Sequence, residues 1–141
     1  MQKILLAVDG SDSALRAVDH VVKRVSSAKH DYQVLLVNVQ YPLHGSVSGF
    51  VDAGQVKQYH HDEGMKTLAV AREKLDAAGI PYTHHLFVGE PAEVIARYGR
   101  EQGCDEIVIG TRGLSGIGSL LMGSVATKVI HLAEMPVLLV K

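Results

Sequence analysis

The sequence predicts a single α/β domain, in three layers, built on a five-stranded parallel sheet with helices on both faces. Two observations predict it. Five short apolar runs alternate with stretches of helical periodicity along all 141 residues. Those runs are apolar at successive positions, as strands buried on both faces must be. Parallel strands joined by helices need right-handed crossovers, which lay the helices over the two sides of one sheet. No repeat, linker or low-complexity segment interrupts the pattern, so residues 1–141 read as one domain, and 47% hydrophobic residues suffice for one sizeable core.

The elements follow in order. "KILLAVD" (3–9) is a buried strand. The helix after it places Ala14, Leu15, Val18, Val21, Val22 and Val25 at helical spacing, with Ser11 or Asp12 available to cap its first turn. "QVLLVNV" (33–39) is the second strand, and 40–54, with Pro42, Gly45, Gly49 and Gly54, is a loop. A long helix from Gln55 to Ala78 should bury Val56, Tyr59, Leu68, Ala71, Leu75 and Ala78, end at Gly79, and be weakened at Gly64. "IPYTHHLFV" (80–88) is the third strand. Pro91 opens a helix that stops at Gly103. "DEIVIG" (105–110) is the fourth strand, a helix is expected from Leu120 to Ala133, and "PVLLVK" (136–141) closes the sheet.

Composition removes several classes of function. A formal net charge of −1, with no charge cluster, points away from nucleic acid and from membrane surfaces. The longest apolar stretches, such as "VLLV" at 34–37 and again at 137–140, fall far short of the ~20 residues that cross a bilayer. Met1 leads into a strand-like run rather than an apolar leader. Cys104 is the only cysteine, so a disulfide within the chain is impossible and a reducing, cytoplasmic setting is expected. Between a helix stop and a strand start, Cys104 reads as a small buried residue rather than a nucleophile.

One stretch asks for more than a fold. "IVIGTRGLSGIGSLLMGSVATKVI" (107–130) carries glycines at 110, 113, 116, 118 and 123. Ligands of open α/β sheets bind beyond the carboxyl ends of the strands, where strand order reverses. If the first and fourth strands are neighbours there, Asp9 faces the glycines across one crevice. A carboxylate repels phosphates but accepts hydrogen bonds from a ribose or a base. Glycines let backbone N–H groups turn toward an anion, and a helix starting near Gly123–Ser124 adds its free N–H groups and a hydroxyl. A P-loop is excluded because no Gly–Lys pair occurs, and a dinucleotide fingerprint because "DGSDS" follows the first strand.

Gly110-x2-Gly113-x9-Gly123-Ser124 matches G-x2-G-x9-G-[ST], and on that motif the chain resembles the ATP-binding branch of the universal stress protein family. "KILLAVDGSDSALRAVDHV", "VLLVNVQYP", "GEPAEVIARYGREQGCDEIVIGTRG" and "MPVLLVK" carry the likeness over essentially the whole chain. The resemblance implies strand order 3-2-1-4-5 and bound ATP, with Mg2+. By it, Asp9 would hold the ribose or base edge, Ala7 and Val8 would line the adenine pocket, and Val39 would offer a backbone contact. Gly110, Gly113, Gly123 and Ser124 would hold the phosphates, with Arg112 and Val125 at the rim. Some members carry a hydroxyl two places after the serine; here Ala126 stands there and Thr127 faces elsewhere. The implied role is a stress-response module regulated by nucleotide, dimeric through its last strand, with an unknown protein partner. A slow ATP hydrolase or nucleotidyl-transfer enzyme, and a scaffold that binds AMP, another anion or nothing, are the competing readings.

Other constellations carry less. His60–His61 on a helix project about 100° apart, and His84–His85 on a strand point to opposite faces, so neither pair chelates one ion. "GLSGIG" breaks the G-x-S-x-G spacing and has no positioned base, so no catalytic residue is assigned. Asp105–Glu106 reads as a solvated turn.

Overall fold

Residues 1–43, 52–112 and 122–141 are described by the structure, a computed structural model. Among the described residues the elements are, in order, β1 (Gln2–Ala7), α1 (Asp12–Ser27), β2 (Tyr32–Gln40), α2 (Ala53–Ala77), β3 (Tyr82–Val88), α3 (Pro91–Glu101), β4 (Glu106–Gly110), α4 (Ser124–Leu132) and β5 (Val137–Val140). All strand pairings are parallel, in the order β3-β2-β1-β4-β5. The fold is therefore the three-layer α/β sheet that the alternation of apolar and helical segments predicts.

Side-chain alternation along the central strands divides the core in two. Ile4, Leu6 and Val8 turn to one face, where Ala14, Ala17, Val18 and Val21 of α1 meet Leu68, Ala71 and Leu75 of α2. Leu5 and Ala7 turn to the other, against Ala92 and Ile95 of α3 and Val129 of α4. Both faces of β1 are thus covered, which is why its sequence shows no polar alternation. Each fully buried Leu or Ile contributes about 1.5–3 kcal/mol to this packing.

The helix ends explain themselves locally. Ser11 caps α1 by accepting from Ala14 N at 3.2 Å. Asp52 and Gln55 cap α2 reciprocally, at 2.7 and 3.0 Å. Pro91 begins α3, and the Glu90 carboxylate accepts from Glu93 N at 2.8 Å. Both α2 and α3 run out into a glycine at positive φ, Gly79 at 68° and Gly103 at 65°, the left-handed cap that a side chain would oppose.

Three expectations need correction. The inward face of α2 is His60, Gly64, Leu68, Ala71 and Leu75, whereas Tyr59 and Ala78 are exposed and Val56 is half-buried. A histidine and a glycine at two core positions hide this face from any count of apolar residues. Gly64 is not a flaw in the helix. A Cβ there would lie 2.7 Å from Leu86 Cδ2 and 3.0 Å from Gln40 Nε2, so its bareness lets α2 approach the sheet. Helix α4 begins at Ser124, later than the expected Leu120, because Gly123 is extended (ψ 152°) and donates its N–H back to Thr111 O; residues 113–121 lie outside the described residues.

Asp105 and Glu106 are also more than a solvated turn. Asp105 Oδ2 accepts from Lys3 N at 2.8 Å, and Glu106 forms a two-point ion pair with Arg24, whose guanidinium lies 5.6 Å from the centre of the Tyr32 ring. The pair ties α1 to the start of β4. Cys104 is buried in the α3–α4 core, as its position implies, and that burial pushes its thiol pKa up. No helix among the described residues is long and apolar enough to cross a membrane.

Candidate functional site

The chain leaves β1 toward β2 and β3 on one side and places β4 and β5 on the other, so strand order reverses between β1 and β4. A cavity of about 540 Å³ opens there, at the carboxyl ends of the strands. Its walls differ in chemistry. The β2 side is formed by residues 37–41 together with Tyr59, His60, Glu63 and Thr67 of α2. The β4 side is formed by Ile109, Gly110, Arg112 and the first residues of α4.

Nine of the ten residues expected at a ligand site line this one cavity: Ala7, Val8, Asp9, Val39, Gly110, Arg112, Gly123, Ser124 and Val125. Gly113 lies outside the described residues. They reach the cavity from β1, β2, β4 and α4, and only the sheet order brings them together.

Asp9 is held by the chain that follows it. Its Oδ1 accepts from Ser11 N at 2.9 Å, and its second oxygen has no hydrogen-bond partner among the described residues. The carboxylate therefore keeps a free acceptor at the strand end, between the two walls.

The β4 side rests on α1. Ser13 Oγ donates to Arg112 O at 2.8 Å and lies 3.2 Å from Arg112 N, which donates to it. Ser11 Oγ adds a second donor to Arg112 O at 3.1 Å. Gly110 lies directly under this clasp: a Cβ would stand 2.5 Å from Ser13 Oγ and 2.7 Å from Ala14 N. Its bareness is thus required by the first turn of α1, quite apart from any ligand.

At α4, the helix cap is Gly123, which brings no side-chain acceptor, whereas α1, α2 and α3 are capped by Ser11, Asp52 and Glu90. The Gly123 N–H is engaged by Thr111 O. The N–H groups next in line belong to Ser124 and Val125, at the positive end of the helix dipole. Ala126 lines the cavity, while Thr127 is exposed and turns its hydroxyl back to Gly123 O at 3.0 Å.

The β2 side contains polar groups that the motif reading missed. Asn38, buried within the strand, donates from Nδ2 to Val8 O at 3.0 Å. Gln40 Nε2 donates to Asn38 Oδ1 at 3.2 Å and to His60 O at 2.9 Å. His60 Nδ1 lies 2.9 Å from Gln40 Oε1. The signal for Asn38 and Gln40 was in the sequence, since "VLLVNVQ" sets two amides at the end of an otherwise apolar run. Nothing local marked His60, which becomes inward only because Gly64 and Leu68 set the face of α2.

The other described histidines do not line the cavity. His85 packs with Phe87 and Tyr98 beside α3, and His84 sits across the strand, its pKa lowered by burial and then by Arg72. Among the described residues no three His, Cys, Asp or Glu side chains gather as a metal site.

Comparison with known proteins agrees with this geometry. The model of the universal stress protein family matches residues 1–141. The chain is 33% identical to the universal stress protein YxiE of Bacillus subtilis, over 99% of this chain and 98% of that one. A universal stress protein solved in complex with cAMP is similar at TM-score 0.72 and 29% identity, over 99% of this chain and 97% of that one. The universal stress protein of Archaeoglobus fulgidus solved in complex with dAMP is similar at TM-score 0.70 and 26% identity, over 100% of this chain and 98% of that one. With its whole length matched, its sheet order and its crevice all in agreement, the chain belongs to the universal stress protein family.

Proposed function

We propose that this protein is an ATP-binding regulatory module, whose bound nucleotide alters its assembly or its contact with a protein partner. The observation that carries the reading is the cavity with two unlike ends at the point where strand order reverses. Its β4 side presents the first turn of α4 and the Ser124 hydroxyl, groups suited to phosphates. Its β2 side has the room and the apolar walls, Val8, Val37 and Val39, for a base. Asp9 stands between them with a free oxygen for a ribose hydroxyl. The cAMP and dAMP complexes of related proteins support an adenine nucleotide as the ligand.

Mg2+ would enter as the counter-ion of the triphosphate, with Ser124 the hydroxyl oxygen at that end. We assign no catalytic residue, and place any ATP hydrolysis at a low rate. The protein works in the cytoplasm as a homodimer joined through β5.

Both related complexes hold a monophosphate, which favours a second reading: an adenosine monophosphate in place of ATP. Calorimetric titration of nucleotide-stripped protein with Mg-ATP, AMP and cAMP separates the two. Micromolar ATP binding, weakened about tenfold or more in Asp9→Ala by loss of the ribose acceptor, supports the first reading. Binding of AMP or cAMP without ATP replaces it with the second, and no heat from any of them discards both.

A further inference from the structure

Strand β2 outlasts its neighbour. The β1–β2 register runs from Gln2↔Tyr32 to Ala7↔Val37 and stops there, although β2 continues to Gln40. In a parallel ladder the next pair, Val8 with Asn38, is closed by two backbone bonds, from Val8 N to Val37 O and from Val39 N to Val8 O. The first is made, at 2.9 Å, and the second is not. Val8 O accepts instead from the side chain of Asn38, whose Nδ2 lies 3.0 Å away. Val37 O serves β1, whereas Gln40 O serves the β3 side, where it accepts from Gly89 N at 2.8 Å. Val39, two residues on from Val37, therefore turns its N–H and C=O toward β1. Neither group has a hydrogen-bond partner among the described residues, and Val39 lines the cavity.

We infer that Asn38 is a positioning residue: its side chain takes the carbonyl that would extend the ladder, ends the β1–β2 pairing one bond early, and so keeps the Val39 donor and acceptor available to the ligand. The inference rests on the nucleotide reading above and adds to it the residue that holds the β2 side of the site open. Asn38 is buried, and its amide can lie only one way. Gln40 Nε2 donates to Asn38 Oδ1 at 3.2 Å and to His60 O at 2.9 Å. A flipped Asn38 would set oxygen against Val8 O and one NH2 group against another. The bond to Val8 O also fixes the peptide that joins Val8 to Asp9, and with it the start of the residue whose carboxylate stands at the cavity. With an apolar side chain at 38, Val8 O would be a buried carbonyl without a donor, which costs free energy until it is paired. The Val39 N–H is the ladder's own next donor, so the two strands would close over the crevice.

Amide exchange and nucleotide titration of the full chain test this together. In wild type without nucleotide, the Val39 N–H should exchange about tenfold or more faster than the ladder-bonded Val37 N–H. A scalar coupling across the hydrogen bond should join Asn38 Nδ2 to the Val8 carbonyl carbon. Both measurements need no variant and decide the matter even if Asn38→Leu does not fold. In Asn38→Leu, with a thermal melt to establish folding, the Val39 N–H should become protected without nucleotide. Mg-ATP, AMP or cAMP, whichever wild type binds, should then bind about tenfold more weakly. Loss of a merely structural bond would instead speed exchange along the strand. A wild-type Val39 N–H as protected as that of Val37, or no coupling between Asn38 and Val8, overturns the role of Asn38 and leaves nucleotide binding standing. So does a folded variant whose Val39 N–H stays open or whose nucleotide affinity is unchanged. A wild type that binds none of the three nucleotides overturns the nucleotide reading and this inference with it.

Discussion

Ser13 and Arg112, 99 residues apart in the chain, are joined by two hydrogen bonds, one in each direction between a side-chain hydroxyl and a peptide unit. The hydroxyl is buried at the first turn of α1, and the peptide unit lies just beyond β4. The clasp makes α1 the floor on which that wall of the cavity is built, and it explains Gly110 as a contact with a helix.

Removing the hydroxyl should therefore act on stability and on the site together. Ser13→Ala leaves a part-buried N–H without its acceptor and should cost about 1–2 kcal/mol in urea denaturation, with nucleotide affinity reduced in parallel. Gly110→Ala puts a methyl group against the backbone of α1 and should cost about 1–3 kcal/mol. If both substitutions leave the denaturation midpoint in place, the clasp has no energetic weight.

The ion pair between Arg24 and Glu106 should count for more than most surface pairs. Its side chains are 29% and 24% exposed, the contact is two-pronged, and the hydrogen bonds that Arg24 donates to Glu106 raise the pKa of the guanidinium. Arg24→Ala should cost about 1 kcal/mol, combining the pair with the contact to Tyr32. Arg24→Lys should recover little of it, because an ammonium lacks the planar fork. A urea series at low and high salt measures both, and full recovery by lysine would rule out the two-point geometry as the source.

Cys104 should be inert in the folded protein. Its thiol is buried and its pKa raised, first by loss of water and also by Asp105, with Lys3 opposing. A thiol reagent at pH 8 should label it only as fast as the protein opens, and urea should release the reaction. Because the folded pKa lies above the unfolded one, the stability gained by keeping the thiol protonated is present below the unfolded value. It is lost as pH rises through the folded value, so weakening belongs to the alkaline side, above about 8.5. Rapid labelling under native conditions would contradict the burial.

The proposed dimer can be tested at the edge itself. Thr111 N and Ile107 N of the β4 side donate to Val140 O and Pro136 O at 2.8 and 3.0 Å, so the N–H groups of Val137 and Leu139 point to the open edge. Leu138, in contrast, packs inward against the α1 side of the core. Val137→Pro removes one edge donor at the first position of the strand, where proline is best tolerated. Sedimentation should show a dimer for wild type and a monomer for the variant; a wild type that is monomeric at every concentration ends the proposal.

Much of this was legible before folding. Uninterrupted apolar runs such as "KILLA" and "VLLV" announce strands buried on both faces, and Ser11, Pro91, Gly79 and Gly103 mark helix ends by their own backbone chemistry. Asp9, Gly110, Gly123 and Ser124, which the spacing singled out, line one cavity, because a strand-end loop and a helix start are local features. The element-by-element reading ran the start of α4 back to Leu120, since the partner that holds Gly123 extended is Thr111, across a stretch of chain no local rule spans.

By itself, then, the sequence determined the class of fold and the order of its elements along the chain. Those depend on periodicity and on residues acting over a turn or less. The tertiary structure alone decided what each residue does there. Gly110 is bare because of Ser13, Gly64 because of Leu86 and Gln40, and His60 faces inward because Gly64 lets α2 settle on the sheet. Each of these is a contact between residues at least 20 positions apart, and such contacts exist only once the chain has closed on itself.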